Sequence, residues 1–129
     1  MDIPISSMME KQTKTVAMDD SIAHVEDVLR LNYLSALPVV DRANGAAIGI
    51  ISTRDLMRFH IEKRDPNAVH AWEVCSYKPV EVGPDVSVNQ VARLMINKGI
   101  HHILITENKE ILGIVSALDF VKKFIQDEV

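Results

Sequence analysis

The sequence has few aromatic residues and no excess of basic ones. Its 129 residues include three Phe, two Tyr and one Trp, and 14 basic side chains stand against 18 acidic ones. A nucleic-acid-binding protein needs a basic surface to neutralise phosphates, and a single-strand binder also needs aromatic platforms for the bases. We therefore expect no nucleic-acid partner. Since 47% of the residues are hydrophobic, the chain is too apolar to be disordered, and its core must be aliphatic.

Cysteines, long apolar runs and a secretory signal are also scarce or absent. The single cysteine, Cys75, permits no internal disulfide, as is typical of a reducing cytoplasm. The longest uninterrupted apolar stretch, Ala46–Ile51, is far shorter than the roughly 20 residues that span a bilayer. We therefore expect a cytoplasmic protein without a membrane partner. Cys75 is predicted to be a small buried residue, because no pattern around it supplies a base for a nucleophile.

What the sequence does contain is an internal repeat, the pattern to look for before any other. Two shifts of the chain against itself, by 66 and then by 64 residues, bring identical residues together. The pairs at the first shift are Val16 with Val82, Asp19 with Asp85, Ser21 with Ser87 and Val25 with Val91. The pairs at the second shift are Gly49 with Gly113, Ile50 with Ile114, Ser52 with Ser116 and Asp55 with Asp119.

The change of shift falls at a predicted hairpin turn. Asp41–Gly45 in the first copy faces Thr106–Lys109 in the second, and Asn44-Gly45 is a strong turn signal. Turns tolerate insertions better than strands or helices do. A length difference confined to a turn is therefore what a structural repeat should show.

Both copies predict the order β-α-β-β-α. In each, a Ser at a helix N-cap (Ser21, Ser87) precedes an amphipathic helix, and Gly99 ends the second of these helices. The predicted strands are Ala36–Val40, Ala46–Ile51, His102–Ile105 and Ile111–Val115. Closing helices begin at Ser52 and Ser116.

These elements predict an α+β fold with three parts along the chain. They are a first repeat (1–62), a polar linker (63–70) and a second repeat (71–129). A repeat of about 60 residues buries too little surface to be stable alone. We therefore expect the two copies to pack sheet to sheet about a pseudo-twofold axis, with two equivalent clefts.

Three motifs resemble a known family. They are LPVVD (Leu37–Asp41), which the second copy replaces by ILIT, and the motifs GIISTRD (Gly49–Asp55) and GIVSALD (Gly113–Asp119), which recur in register. Together they are similar to a tandem pair of cystathionine-β-synthase (CBS) domains, the Bateman module. The resemblance covers essentially the whole chain. It implies that the protein is a regulatory binding module.

The Gly-h-h-Ser-x-x-Asp motif, in which h is aliphatic, permits two interpretations. A strand ends, the chain turns into a helix, and Ser and Asp face the same point at the helix start, where backbone N–H groups lack partners. A carboxylate there can accept hydrogen bonds from a ribose diol, and the hydroxyl and N–H groups can meet a phosphate. The same spacing is also that of an ordinary capping box, which only stabilises the helix start.

The family resemblance assigns the motif to adenosine-containing ligands such as AMP, ADP, ATP, S-adenosylmethionine, NAD or a cyclic dinucleotide. His101 and His102 stand where the family often places phosphate contacts, so we favour the cleft around Asp119. Its predicted residues are Ser116, Asp119, Ile114, His101, His102, Lys14, Ser35 and Ala36. Those of the second cleft are Ser52, Asp55, Ile50 and Val80. Adjacent strand residues point to opposite faces, so we expect no metal site at the histidine pair.

Two functions therefore stand open. In the first, a ligand in an inter-repeat cleft changes the geometry between the repeats or the binding of an unidentified regulated protein. In the second, the same fold is a ligand-free structural or dimerisation module. We expect no catalysis, since the sequence offers no nucleophile–base pair and no Walker-type loop. The resemblance also implies a homodimer formed by the helices after the motifs, with Leu56, Phe59, Phe120 and Phe124 as contributors.

Overall fold

The compact units of the structure do not follow the halves of the sequence. The computed structural model describes residues 2–9, 11 and 14–127. One unit is Lys14–Pro79, and the other joins Met1–Thr13 to Val80–Val129. The units thus differ from the repeats 1–62 and 71–129 in their short leading segments. Residues 71–79, which lead the second repeat, belong to the first unit, and residues 1–13, which lead the first repeat, belong to the second unit.

The unit Lys14–Pro79 opens with a short strand and a helix. Strand β1 (Val16–Ala17) leads to Ser21, whose hydroxyl accepts a hydrogen bond from His24 N at 3.1 Å. Ser21 thereby caps helix α1 (Ile22–Leu31), as its sequence position predicted.

A four-stranded sheet organises this unit. Strands β2 (Ala36–Val40) and β3 (Ala47–Ser52) form a hairpin, helix α2 (Thr53–Ile61) follows, and strand β4 (Ser76–Tyr77) completes the sheet. The strand order is β1-β2-β3-β4, with β1 parallel to β2 and the other pairs antiparallel. The sequence did not predict β4, because two exposed polar residues carry no apolar alternation.

The core of this unit is aliphatic, as expected. Its helix α1 buries residues at helical spacing, and removing each such side chain from water contributes about 1.5–3 kcal/mol. The buried cluster consists of Val16, Ile22, Val25, Leu29, Leu37, Val39, Ile51, Leu56, Phe59, Val69, Ala71 and Cys75. Its last three members follow α2 and lie in the predicted linker and second repeat.

The other unit repeats the same order. Strand β5 (Glu81–Val82) leads to helix α3 (Val88–Lys98), which a full capping box of Ser87 and Gln90 starts. The remaining elements are β6 (His102–Glu107), β7 (Glu110–Ser116) and α4 (Ala117–Asp127). In its sheet β5 is parallel to β6, and β6 is antiparallel to β7.

Ile5 completes the core of this second unit from the beginning of the chain. It lies in a short 3-10 helix, Ile5–Ser7, and its side chain is fully buried. Its N–H donates to Val86 O at 2.7 Å, and Val88 N donates to Ile3 O at 2.8 Å. The core it joins consists of Val88, Val91, Met95, Ile103, Ile105, Val115 and Phe120.

The helices before the hairpins end in the same way in both units. Leu34 N donates to Leu29 O and Ile100 N donates to Met95 O, which closes a Schellman motif in each. The residue in left-handed conformation is Gly99 at φ 63° in one unit and Tyr33 at φ 54° in the other.

The hairpins explain the change in repeat shift. In the second unit β6 and β7 are joined by Asn108 and Lys109 alone, both at positive φ, as a tight two-residue hairpin turn requires. In the first unit the loop runs from Asp41 to Ala46, with Gly45 at φ 72°. The predicted site of the length difference is therefore confirmed.

Among the described residues the structure has two sheets and four α-helices, so the α+β class is confirmed. None of these helices is both long and apolar enough to cross a bilayer.

Candidate functional site

The first strand-to-helix corner lies where β3 passes into α2. Ser52 N donates to Asp55 Oδ2 at 2.8 Å, and Asp55 N donates to Ser52 Oγ at 3.4 Å. The Ser52 hydroxyl also donates to Asp55 Oδ2 at 3.1 Å. The two residues thus form a complete capping box at the start of α2.

The second corner, between β7 and α4, has the same reciprocal bonds. Ser116 N donates to Asp119 Oδ2 at 2.8 Å, and Asp119 N donates to Ser116 Oγ at 3.2 Å. The repeat of sequence is therefore a repeat of local geometry.

In each capping box, only one carboxylate oxygen of the aspartate accepts hydrogen bonds. Every hydrogen bond that Asp55 and Asp119 accept from described residues ends on Oδ2. Each Oδ1 is thus an available acceptor for a hydroxyl group. The capping interpretation is confirmed at both corners, and ligand binding there stays a prediction.

Backbone contacts place the predicted neighbours beside each corner. Thr53 N donates to Ser35 O at 2.9 Å, and Ala117 N donates to His101 O at 2.9 Å. The strand register sets Ala36 opposite Ser52 and His102 opposite Ser116. The Asp119 corner therefore has two histidines where the Asp55 corner has Ser35 and Ala36.

The two corners differ in exposure. Ile50 and Ser52 are buried, whereas their counterparts Ile114 and Ser116 are half-buried. His101 is exposed and can meet a ligand from solution.

Comparison with known proteins identifies the family of this chain. The CBS domain family matches residues 5–62 and again residues 71–126. The chain belongs to the CBS-domain family. The tandem pair implied by the repeated motifs is therefore confirmed.

Relatives of this CBS pair occur in bacteria and archaea. It is 30% identical over 115 residues to the uncharacterized protein YlbB of Bacillus subtilis, covering 89% of this chain and 78% of that one. It is 28% identical over 127 residues to the uncharacterized protein MJ0188 of Methanocaldococcus jannaschii, covering 98% of this chain and 46% of the relative. The chain thus spans about half the length of that archaeal relative.

A solved structure shows the same fold. The hexameric CBS-CP12 protein from bloom-forming cyanobacteria has a TM-score of 0.87 to this CBS pair at 24% identity, covering 99% of this chain and 81% of that one.

The structure distributes the predicted site residues between its two units. Lys14, an exposed residue, Ser35 and Ala36 belong to the unit of Asp55, although the sequence grouped them with Asp119. Val80 was grouped with Asp55 and belongs to the unit of Asp119, where its carbonyl accepts from Leu104 N at 2.9 Å. Both groupings across the units stay predictions.

Cys75 is a neighbour of the first corner that the motifs did not identify. Its side chain is buried, as predicted. Burial, together with the nearby Asp55 carboxylate, raises the pKa of the Cys75 thiol to about 11. No sequence signal could have revealed this proximity, because it depends on the pairing of β4 with β3.

Three residues expected on the assembly surface lie elsewhere. Leu56, Phe59 and Phe120 are buried in the cores of their own units, so that expectation was wrong. The reason is helical phase, since these residues face the sheet. Phe124 is 42% exposed.

In the described part of the chain no three His, Cys, Asp or Glu side chains are arranged to hold a metal ion.

Proposed function

We propose that this CBS pair binds an adenosine-containing ligand at the Asp119 corner and acts by binding rather than catalysis. The observation that carries the proposal is the available Oδ1 of Asp119, beside a half-buried Ser116 and an exposed His101. A carboxylate oxygen accepts hydrogen bonds from ribose hydroxyls, and an imidazole can donate to a phosphate. AMP, ADP, ATP, S-adenosylmethionine and NAD share the ribose that this chemistry recognises.

The ligand would regulate by shifting populations. A ligand that prefers one conformation of the protein tenfold stabilises it by about 1.4 kcal/mol relative to the others. That effect biases the binding of a regulated protein, or self-association, without switching it completely.

A matched pair of variants tests the proposal. Calorimetric titration and thermal shift with AMP, ATP, S-adenosylmethionine and NAD are carried out on the wild type, Asp119→Ala and Asp55→Ala. A ligand at 100 times its Kd stabilises the folded state by about 2.7 kcal/mol, which raises the Tm measurably. We expect Asp119→Ala to lose this effect and Asp55→Ala to keep it. Loss in Asp55→Ala alone would assign the site to the other corner.

The second candidate is a ligand-free structural or dimerisation module. It is favoured by the capping boxes, which by themselves explain why Ser and Asp stand at both corners. Absence of binding by every compound of the panel would support it.

We also propose that the protein self-associates as a homodimer through its helices. A groove of about 670 Å³ lies between α1 and α2 and exposes apolar side chains. Exposed apolar residues also occur on α3 and α4. Examples are Ile61 at 78% and Met57 at 67% on α2, Ile96 at 79% on α3 and Ile125 at 58% on α4. An exposed apolar groove such as the one between α1 and α2 is typical of an interaction site.

A further inference from the structure

Tyr33 occupies a position at which glycine would be less strained. Its φ is 54°, in the left-handed region, and its counterpart in the Schellman motif of the other unit is Gly99 at φ 63°. The Tyr33 side chain is 97% exposed, so burial within the chain does not explain why an aromatic residue stands there. A strained residue that the fold itself does not need points to a function outside the chain.

Tyr33 is one of the residues that line the groove between α1 and α2. The groove has a volume of about 670 Å³, and Tyr33 stands at its edge, because a lining residue that is 97% exposed protrudes into solvent. The apolar residues that line the groove are Leu29, Leu34, Leu56, Met57 and Ile61. One surface therefore carries a protruding aromatic ring and an apolar depression beside it.

The charges of this surface are complementary to one another. Its lining includes Glu26 and Arg30 on α1 and His60 on α2, and His60 Nε2 lies 2.8 Å from Glu26 Oε2. A surface with charges of one sign would repel a second copy of itself, whereas this one offers both a carboxylate and a guanidinium.

The arrangement also meets the geometric condition for pairing with a second copy. A twofold axis brings a patch of one molecule against the same patch of the other, so a protruding group and the depression that receives it have to lie side by side. Tyr33 and the groove lie side by side in this way.

We propose that Tyr33 is the anchor by which two copies of this chain recognise each other. Each copy inserts its Tyr33 ring into the α1–α2 groove of the other, and the strain at this position is kept because the ring is needed for that contact. A tyrosine side chain buries about 150–250 Å² when it is enclosed, and tyrosine is among the residues that dominate binding energy at interfaces. The inference rests on the proposed homodimer and names the residue that carries it.

Three variants separate the strain from the contact. Tyr33→Gly removes both the ring and the strain, Tyr33→Ala removes the ring and keeps a Cβ in the left-handed region, and Tyr33→Phe keeps the ring. Lys109→Gly is the matched control, because it relieves a positive φ of 67° at an exposed residue in the tip of the second hairpin. The Kd of the dimer is measured by analytical ultracentrifugation over a dilution series, and the Tm is measured at a concentration at which the copies are separate.

We expect the dimers of Tyr33→Gly and Tyr33→Ala to have a Kd at least about tenfold higher than the wild type, because the anchor is lost. Tyr33→Phe and Lys109→Gly should stay within about threefold of the wild type. In the separated copies, Tyr33→Gly should raise the Tm by about 4 °C and Tyr33→Ala should leave it nearly unchanged, since only glycine relieves the strain.

The outcomes distinguish the anchor from the homodimer. An unchanged Kd in Tyr33→Gly and Tyr33→Ala would overturn the anchor and leave the homodimer in place. A lower Tm of Tyr33→Gly in the separated copies would also overturn it, because its own unit would then hold the ring. A wild type that stays monomeric at high concentration would overturn the homodimer, and the anchor with it.

Discussion

At the scale of single residues, Tyr33 stands in a backbone conformation that suits glycine. It follows α1 at φ 54°, in the same Schellman motif that Gly99 completes after α3. A side chain in the left-handed region costs about 1–2 kcal/mol. The Tyr33 side chain is 97% exposed, so contacts within the chain hardly offset this cost.

Replacing Tyr33 by glycine should therefore stabilise the protein. We expect Tyr33→Gly to raise the free energy of unfolding by about 1 kcal/mol and the Tm by about 4 °C, as measured by urea and thermal unfolding. The reciprocal change, Gly99→Tyr, should lower both by a similar amount. A less stable Tyr33→Gly protein would show that the tyrosine makes a contact that outweighs the strain.

Cys75 predicts a dependence of stability on pH. Burial, followed by the Asp55 carboxylate, raises its pKa from 9.0 to about 11, so the folded protein keeps the thiol proton that the unfolded chain releases. This contribution to stability is complete below pH 9 and is lost as the pH rises through about 11.

Its full size is about 3 kcal/mol, since the pKa rises by about two and each pKa unit corresponds to about 1.4 kcal/mol. Urea unfolding at several pH values should show the wild type losing most of this amount relative to Cys75→Ala between pH 9 and 11. Parallel curves for the two proteins would contradict the prediction. Tyrosines and lysines also titrate in this pH range, but they are the same in both proteins. Their contribution therefore cancels in the difference between wild type and Cys75→Ala.

At the scale of elements, the junction of β3 and β4 depends on Gly49. Gly49→Ala places a Cβ against Ser76 O, so β4 must move away from β3, and we expect a loss of about 1–3 kcal/mol in urea unfolding. Gly83→Ala is the matched control, because its added Cβ would meet no atom within 4 Å. If both variants lost the same amount of unfolding free energy, the cause would be the replacement of glycine itself and not the contact between β3 and β4.

The elements also show what periodicity and motif spacing can predict. Helices α1 and α3 were predicted because buried residues recur at helical spacing behind a capping serine. The Ser and Asp of both corners were predicted because the motif is local. Strand β4 and the burial of Ile5 were not, because both depend on contacts between segments far apart in sequence. For the same reason the sequence did not reveal that Cys75 lies near Asp55.

At the scale of the whole molecule, the first residues of the chain stabilise its second half. Ile5 is fully buried among residues of α3, β6 and β7. We expect Ile5→Ala to cost about 2–5 kcal/mol. Hydrogen exchange should then show lost protection in α3 and β6 rather than in α1 and β2. Ser6→Ala, at an exposed neighbour, is the control, and a loss of protection centred on α1 would contradict the assignment.

Self-association is the second prediction at this scale. If the helices form the homodimer, Ile61→Glu should convert dimers to monomers in light scattering, because a charge in an apolar interface is left without water or a partner. Lys109→Glu, at the exposed tip of the second hairpin, should leave the mass unchanged. A wild-type protein that is monomeric at high concentration would remove the basis of the proposal.

The exchange of leading segments has a consequence for how such a chain could arise by gene duplication. A single ancestral repeat would have carried its leading segment on the same chain, yet in this protein each unit is completed by the segment that leads the other repeat. A chain of one repeat could obtain the same core by exchanging this segment with a second copy, as a domain-swapped dimer. Fusion of two copies would turn that exchange between molecules into one within a molecule. Neither repeat could afterwards be deleted without leaving the other short of part of its core.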